Sequence, residues 1–301
     1  MFAMSQLCSD EDMENRRSFL ATLGVAALSV SARRALGEGI ERLADFPGAP
    51  ATPKKLARVG MELYTVRSNV SADMAGTLAA LAKIGYKEVE FAGYYNHAAS
   101  EIRDILKANG LTAPSAHVGI EAIETGGAQT FADAKVIGHE FITVASLPRG
   151  PKTTADDWKQ VAARFNKAGE ACKSAGFRFA FHNHNDIVKK TGDVLPIEIL
   201  MKETDPALVS YEMDIYWAVN GGADPLQLLA AYPGRFSMFH AKDSMGPPDH
   251  KMADVGAGVI DFKTIFAKGK GVEHYFVEHD NPPDPMASAA ASYKYLSNLE
   301  F

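Results

Sequence analysis

Between Arg58 and Leu299, short apolar runs alternate with longer stretches of helical periodicity, and the pattern repeats eight times. Short apolar runs bounded by turn residues read as strands, and longer amphipathic stretches read as helices. Strands are expected at Arg58 to Tyr64, Tyr86 to Phe91, Leu111 to His117, Phe141 to Ala145, Phe177 to His182, Leu208 to Met213, Arg235 to Ala241 and Val272 to Glu278. Helices are expected between them at about 72–84, 98–108, 130–137, 154–175, 194–202, 225–231 and 261–268, with a closing helix from Pro285 to Leu299. Thr154 is placed to cap the longest helix, Asp156 and Asp157 complement its dipole, and Gly110 and Gly176 mark helix ends. Regular alternation of strand and helix gives a parallel sheet. Eight such units with no room for another domain predict an α/β protein, a (β/α)8 TIM barrel over 58–301, with a doubly wound open sheet as the alternative.

The first 57 residues follow a different pattern. Asn15-Arg16-Arg17-Ser18-Phe19-Leu20 precedes an apolar run from Ala21 to Val30 and then small residues, the order of a twin-arginine export signal. The run falls short of the roughly 20 residues that a membrane span needs, so no stable membrane anchor is expected. Asp10, Glu11, Asp12 and Glu14 lie where such a signal is normally basic, which makes Met13 an alternative start and would remove Cys8. The expected organisation is an export signal over 1–36, a linker over 37–57 carrying Pro47, Pro50 and Pro53, and a barrel destined for the periplasm. A buried or amphipathic N-terminal helix is the competing reading.

Composition narrows the function classes. At 47% hydrophobic and 23% charged residues the chain is an ordinary globular protein, and a net charge of −6 supplies no basic face to neutralise phosphates, so no nucleic-acid partner is expected. Cys8 and Cys172 are too far apart in sequence to form a CxxC pair or a disulfide framework.

Candidate chemistry lies at the strand ends. Glu90, His117, His182, His184, Asp214, His240 and Glu278 all fall at or just beyond a strand's carboxyl end, where an apolar interior would not want them. In a barrel those ends form one rim, the place where such folds carry their chemistry. Strand residues alternate inward and outward, so His182 and His184 share a face and can converge with Asp214, His240 and Glu278. Imidazole and carboxylate donors suit Mn²⁺, Co²⁺, Fe²⁺ or Zn²⁺. Lys242 can reach a developing oxyanion or pair with Asp243, and Tyr216 and Trp217 offer a flat face to a sugar ring. Gly256 and Gly258 are not read as a phosphate cradle, because no Lys-Ser/Thr follows them.

Five segments together resemble the xylose isomerase-like barrel superfamily, and within it the sugar phosphate isomerase/epimerase group. They are Phe181-His182-Asn183-His184; Tyr211 to Trp217 with Gly221-Gly222; Gly234-Arg235-Phe236 leading to His240-Ala241-Lys242-Asp243; Val255 to Phe262; and Val277-Glu278-His279-Asp280. The resemblance implies a divalent metal, Mn²⁺ first and Co²⁺, Zn²⁺, Fe²⁺ or Mg²⁺ otherwise, held by Asp214, His240, Glu278 and one ligand from strand five. Relatives often place Glu at that fourth position. Here the choice falls between His184 and His182, with His184 favoured as ligand and His182 left to substrate, beside Trp217 and Lys242. Where relatives often continue with Glu-Phe, this chain has Ile187-Val188.

The resemblance further implies a metal-dependent isomerase or epimerase that acts on a sugar or keto-sugar through an enediolate. Glu278 is the first candidate to move the proton, followed by Glu90 and His117, with Lys242 at the oxyanion. A lyase or dehydratase acting on keto-sugars or 3-keto-glycosides is the alternative, and a periplasmic destination favours unphosphorylated carbohydrate. Endonuclease-type cleavage would need extra histidines and a basic face. A non-catalytic sugar-binding barrel would not need so crowded a ring of metal-ligand side chains.

Overall fold

The computed structural model describes residues 53–147, 150 and 152–301; the paired arginines, the apolar run, most of the expected linker and Cys8 lie outside the described residues. Eight parallel strands close into a barrel. In chain order these are β1 (Gly60–Glu62), β2 (Glu88–Phe91), β3 (Thr112–His117), β4 (Phe141–Val144), β5 (Arg178–His182), β6 (Val209–Asp214), β7 (Phe236–Ala241) and β10 (His274–Val277), which pairs with both β7 and β1. Two short strands, β8 (Asp243–Ser244) and β9 (Met252–Ala253), form an antiparallel hairpin outside the barrel.

Alternation along the strands builds two separate interiors. Outward residues such as Val89, Ile142, Phe179, Phe181, Tyr211, Met213, Phe239 and Val277 pack with the surrounding helices in one large core. Inward residues Phe141, Ala180, Met238 and Phe276 form a small apolar cluster of their own. Two positions further along the same strands come Thr143, His182, His240 and Glu278, so the next inward layer on that side is polar. Strand register completes it: Glu62 lies opposite Glu90, His182 opposite Glu212 and Asp214 opposite His240. One barrel thus carries an apolar plug beneath a layer of buried acids and imidazoles.

The expected helices form, with differences that have local causes. The helix expected at 72–84 forms over Met74–Ile84, capped by Asp73, whose carboxylate accepts the Gly76 N–H at 2.8 Å, and a further helix, Arg67–Ala72, precedes it. Ile120–Glu124 and Ile215–Asn220 are additional helices, each too short to declare a period in the sequence. The longest helix spans Ala155–Ala175, begins in a Thr154–Asp157 capping box, and stops at Gly176 in the left-handed conformation (φ 89°). Lys54 exchanges backbone hydrogen bonds of 2.7 and 2.9 Å with Phe301, so the chain is already tied to the barrel's far end at that residue.

Asp243 explains the Val255–Phe262 motif. Its fully buried carboxylate accepts backbone N–H groups from Ser244 (2.7 Å), Gly256 (2.9 Å), Gly258 (3.0 Å) and Ile260 (3.2 Å), stitching the β8 start to the following loop. A Cβ at Gly258 would stand 2.3 Å from both Asp243 Oδ1 and the Ser244 carbonyl, so only glycine permits this approach. The glycines serve a carboxylate of the chain itself. Asp243→Ala leaves one buried and three part-buried donors without this acceptor and is expected to cost about 2 kcal/mol, read from the denaturant midpoint.

Candidate metal centre at the barrel mouth

His182, Asp214, His240 and Glu278, on four different strands, each bring one ligand atom within 4.8 Å of the others, and all four are buried. Local bonds aim them. Asn183 accepts the Asp214 N–H at 3.0 Å and donates to the Asp214 carbonyl at 3.2 Å, which locks the end of β5 to the end of β6. Asp214 Oδ1 caps the next helix by accepting the Trp217 N–H at 2.8 Å. Its other oxygen, Oδ2, is buried and lies 3.8 Å from His182 Nε2.

Each imidazole turns one nitrogen to this group and the other to a carboxylate below. His182 Nδ1 lies 3.1 Å from Glu212 Oε2. His240 Nδ1 lies 2.8 Å from Glu278 Oε2, while its Nε2 lies 2.6 Å from Glu90 Oε2 and 3.2 Å from Glu212 Oε2. A carboxylate on the far nitrogen is the usual support of a metal-binding histidine, because it fixes the tautomer and raises ligand basicity. A neutral imidazole has a single N–H and cannot donate to both sides of His240. An imidazolium meets that arrangement, and so does a cation on the Nδ1 side.

A cation is already accommodated at this point. Lys242 Nζ lies 2.9 Å from Asp214 Oδ2, 2.8 Å from Glu278 Oε2 and 2.7 Å from Asp280 Oδ1, with the side chain 1% exposed. The ammonium held between Asp214 Oδ2 and Glu278 Oε2, the paired carboxylate–imidazole supports and the nitrogen–oxygen donor set together fit a divalent ion bound by His182, Asp214, His240 and Glu278.

Electrostatics set the protonation of the group. Burial disfavours charge on His240 and His117, yet the surrounding Glu212 and Glu90 outweigh it and hold both imidazoles well above their usual value. Burial and repulsion from His240 push His182 well below it. Burial also opposes ionisation of Glu278 and Glu212, but Lys242 and His240 for the first, and three imidazoles for the second, keep both carboxyls well below the usual range. Asp214 is the exception, raised to about 6 by burial that Lys242 only partly offsets. Protons compete with metal at Asp214 and at the His240 imidazole, so divalent-ion affinity is expected to fall steeply as pH drops below about 6 and to keep rising above it until His240 gives up its proton. Isothermal titration with Mn²⁺ between pH 5 and 8 checks this.

The residues singled out in the sequence occupy distinct levels. Asp214, His240 and Glu278 come together with His182. His184 lies one step further out, its ring 4.9 Å from that of His182 and 5.6 Å from that of Trp217. Trp217 also lies 5.6 Å from Lys242 Nζ, and its indole N–H has no acceptor among the described residues. Lys242 pairs with Asp214, Glu278 and Asp280, while Asp243 turns away to its backbone donors. Glu90 and His117 sit beside His240, joined there by Glu62 and Glu212. The last two were missed, although each stands at an inward position of its strand, Glu62 two residues after Gly60 and Glu212 two before Asp214.

A closed parallel barrel with a buried carboxylate–imidazole centre at its mouth defines an enzyme scaffold rather than a passive shell. The chain belongs to the xylose isomerase-like TIM barrel family, whose sequence pattern it matches over residues 78–294. Its fold is similar to that of a sugar phosphate isomerase/epimerase from Parabacteroides distasonis, with 26% identity, a TM-score of 0.70, and coverage of 83% of this chain and 97% of that one. The IOLI protein, solved with a bound zinc atom, shares the fold at 14% identity and a TM-score of 0.63, over 79% of this chain and 95% of its own. In sequence the chain is similar to the inosose dehydratase of Geobacillus kaustophilus, 28% identical over 170 residues; the match takes in 49% of this chain and spans about half, 54%, of that relative.

Proposed function

We propose that the protein is a metal-dependent isomerase or epimerase of a sugar or keto-sugar, working through an enediolate formed by removing a proton beside a carbonyl. The observation that carries this reading is the convergence of two imidazoles and two carboxylates on one point beside a buried ammonium. His182, Asp214, His240 and Glu278 would hold a divalent ion, which would supply Lewis-acid stabilisation of negative charge developing on the substrate. Mn²⁺ suits the mixed nitrogen and oxygen donors, with Co²⁺, Zn²⁺, Fe²⁺ and Mg²⁺ as alternatives.

The chain's own residues do the rest. Glu278, kept ionised by Lys242 and His240, takes the proton from substrate carbon and returns it. Lys242 donates hydrogen bonds to the substrate oxygen that gains charge, and Asp280 holds its ammonium from the rim. Trp217 and His184 form the wall against which the sugar lies, with the unpaired indole N–H available to a hydroxyl. Glu212 and Glu90 orient the two imidazoles. His117 and Glu90 lie on the other side of His240 from Glu278 and rank behind it for proton transfer.

A dehydratase or lyase is the second reading, favoured by the similarity to inosose dehydratase. It shares the first proton abstraction and differs in expelling a β-leaving group. The export signal expected at 1–36 supports a periplasmic enzyme and an unphosphorylated substrate. Incubation of the Mn²⁺-loaded protein in D₂O with free sugars, inososes and 3-keto-glycosides tests both. Deuterium in recovered sugar or isomer supports the first reading, and loss of water or aglycone supports the second. No exchange and no product from any of them, with metal bound, overturns both.

A further inference from the structure

The opposite end of the barrel carries a polar group of its own. His274 opens β10 with Glu273 before it, Glu140 precedes β4, and Glu88 opens β2, so all four stand at the amino ends of strands. Alternate positions from the start of β10 are His274, Phe276 and Glu278, and Phe276 belongs to the apolar plug. The plug therefore separates this group from the mouth. Glu140, Glu273 and His274 each bring one ligand atom within 4.8 Å of the others.

The imidazole is the informative member. His274 is 4% exposed, and its Nδ1 lies 2.9 Å from Glu88 Oε2. An ionised carboxylate only accepts, so this bond places a proton on Nδ1. Nε2 is buried, has no hydrogen-bond partner among the described residues, and faces Glu140 Oε2 at 4.0 Å. That gap is too long for a hydrogen bond, yet it matches two metal–ligand bonds of about 2.0–2.1 Å each. Glu88 behind the ring is the kind of support a metal-binding histidine uses. The other charges are accounted for: Arg58 meets Glu88 at 3.1 Å, and Arg178 bonds both oxygens of Glu273 at 2.8 and 2.9 Å. Among the described residues Glu140 has His274 alone. Glu140 and Glu273, 61% and 44% exposed, have room to close on an ion, and a carboxylate has lone pairs enough to keep its arginine while doing so.

We propose that His274, Glu140 and Glu273 bind a divalent cation at the amino end of the barrel, with water completing its sphere. One imidazole nitrogen and two carboxylate oxygens suit Zn²⁺ better than an ion that seeks oxygen alone. β4 and β10 lie opposite each other in the barrel, three strands apart either way round. The ion therefore ties opposite walls together at this end, a structural clasp on the far side of the plug from the mouth. The clasp does not depend on whether the mouth binds metal.

Calorimetric titration of the full chain with Zn²⁺, and anomalous diffraction at the zinc edge from crystals soaked in micromolar Zn²⁺, test the site. A peak is expected at about 2.0–2.2 Å from His274 Nε2, with oxygens of Glu140 and Glu273 in the same sphere. In solution His274→Gln is expected to remove this binding step. Glu140→Gln should weaken it by at least the roughly tenfold that loss of a mere supporting carboxylate costs. Glu140 is exposed, so its variant decides the case if His274→Gln fails to fold. A peak that appears only at millimolar Zn²⁺ marks an adventitious ion and overturns the site, as does an isotherm that the folded variants leave unchanged. A peak at His274 with none at the mouth upholds this site and removes the mouth centre; a peak at the mouth alone does the reverse.

Discussion

Glu278→Gln is expected to slow proton exchange between substrate carbon and solvent by at least about 10³-fold while leaving the barrel folded. The substitution keeps shape and hydrogen-bonding reach but removes the charge that meets His240 Nδ1 and Lys242 Nζ, both at 2.8 Å. Glutamine cannot accept the substrate proton, and its amide is a poorer ligand for a divalent ion than a carboxylate. Both losses act on the transition state, so kcat falls more than KM rises. Circular dichroism should be unchanged. A variant that exchanges within about threefold of wild-type would assign the proton to another residue, with His117 and Glu90 next to be replaced.

Lys242→Met is expected to turn a metal-tolerant fold into a metal-dependent one. The ammonium is 1% exposed and touches three carboxylates, of which Asp214 and Glu278 are buried. Removing one partner of a buried charge pair strands the other, a loss of about 3–5 kcal/mol. The metal-free variant should therefore melt on the order of 10 °C below metal-free wild-type. Added Mn²⁺ should recover most of that loss, because the ion meets the same two oxygens and no longer competes with an ammonium. Its affinity should exceed that of wild-type even though turnover falls. Equal melting of the two proteins in chelator would show that Lys242 does not balance these acids.

Much of the barrel was legible because its physics is periodic. Runs such as Phe236–Ala241 and Phe141–Val144 announce strands by length and apolar content, and the Thr154–Asp157 box announces the longest helix by its cap. Short pieces that rest on tertiary contacts were not legible. The Ile215–Asn220 helix begins only because Asp214 caps it, and the β8–β9 hairpin forms around Asp243 and its backbone donors.

The same division runs through the site. Asp214, His240 and Glu278 stood out as polar ends of apolar strands. His182 and His184 could not be ranked by alternation, which assigns both to one face; β5 ends at His182, paired with Glu212, and His184 lies beyond it. Glu62 lies inside the strand expected at Arg58 to Tyr64, two residues short of its expected end, and so did not stand out as a polar strand end. Glu212 was overshadowed by Asp214 two positions later, although the inward face of β6 carries both.

The central claim is that His182, Asp214, His240 and Glu278 share one divalent cation. Anomalous diffraction from crystals loaded with Mn²⁺ tests it most directly. A peak is predicted at about 2.0–2.2 Å from His182 Nε2, Asp214 Oδ2, His240 Nδ1 and a Glu278 oxygen. Density bound through His184 in place of His182, or no anomalous peak among these four side chains at saturating metal, would contradict it.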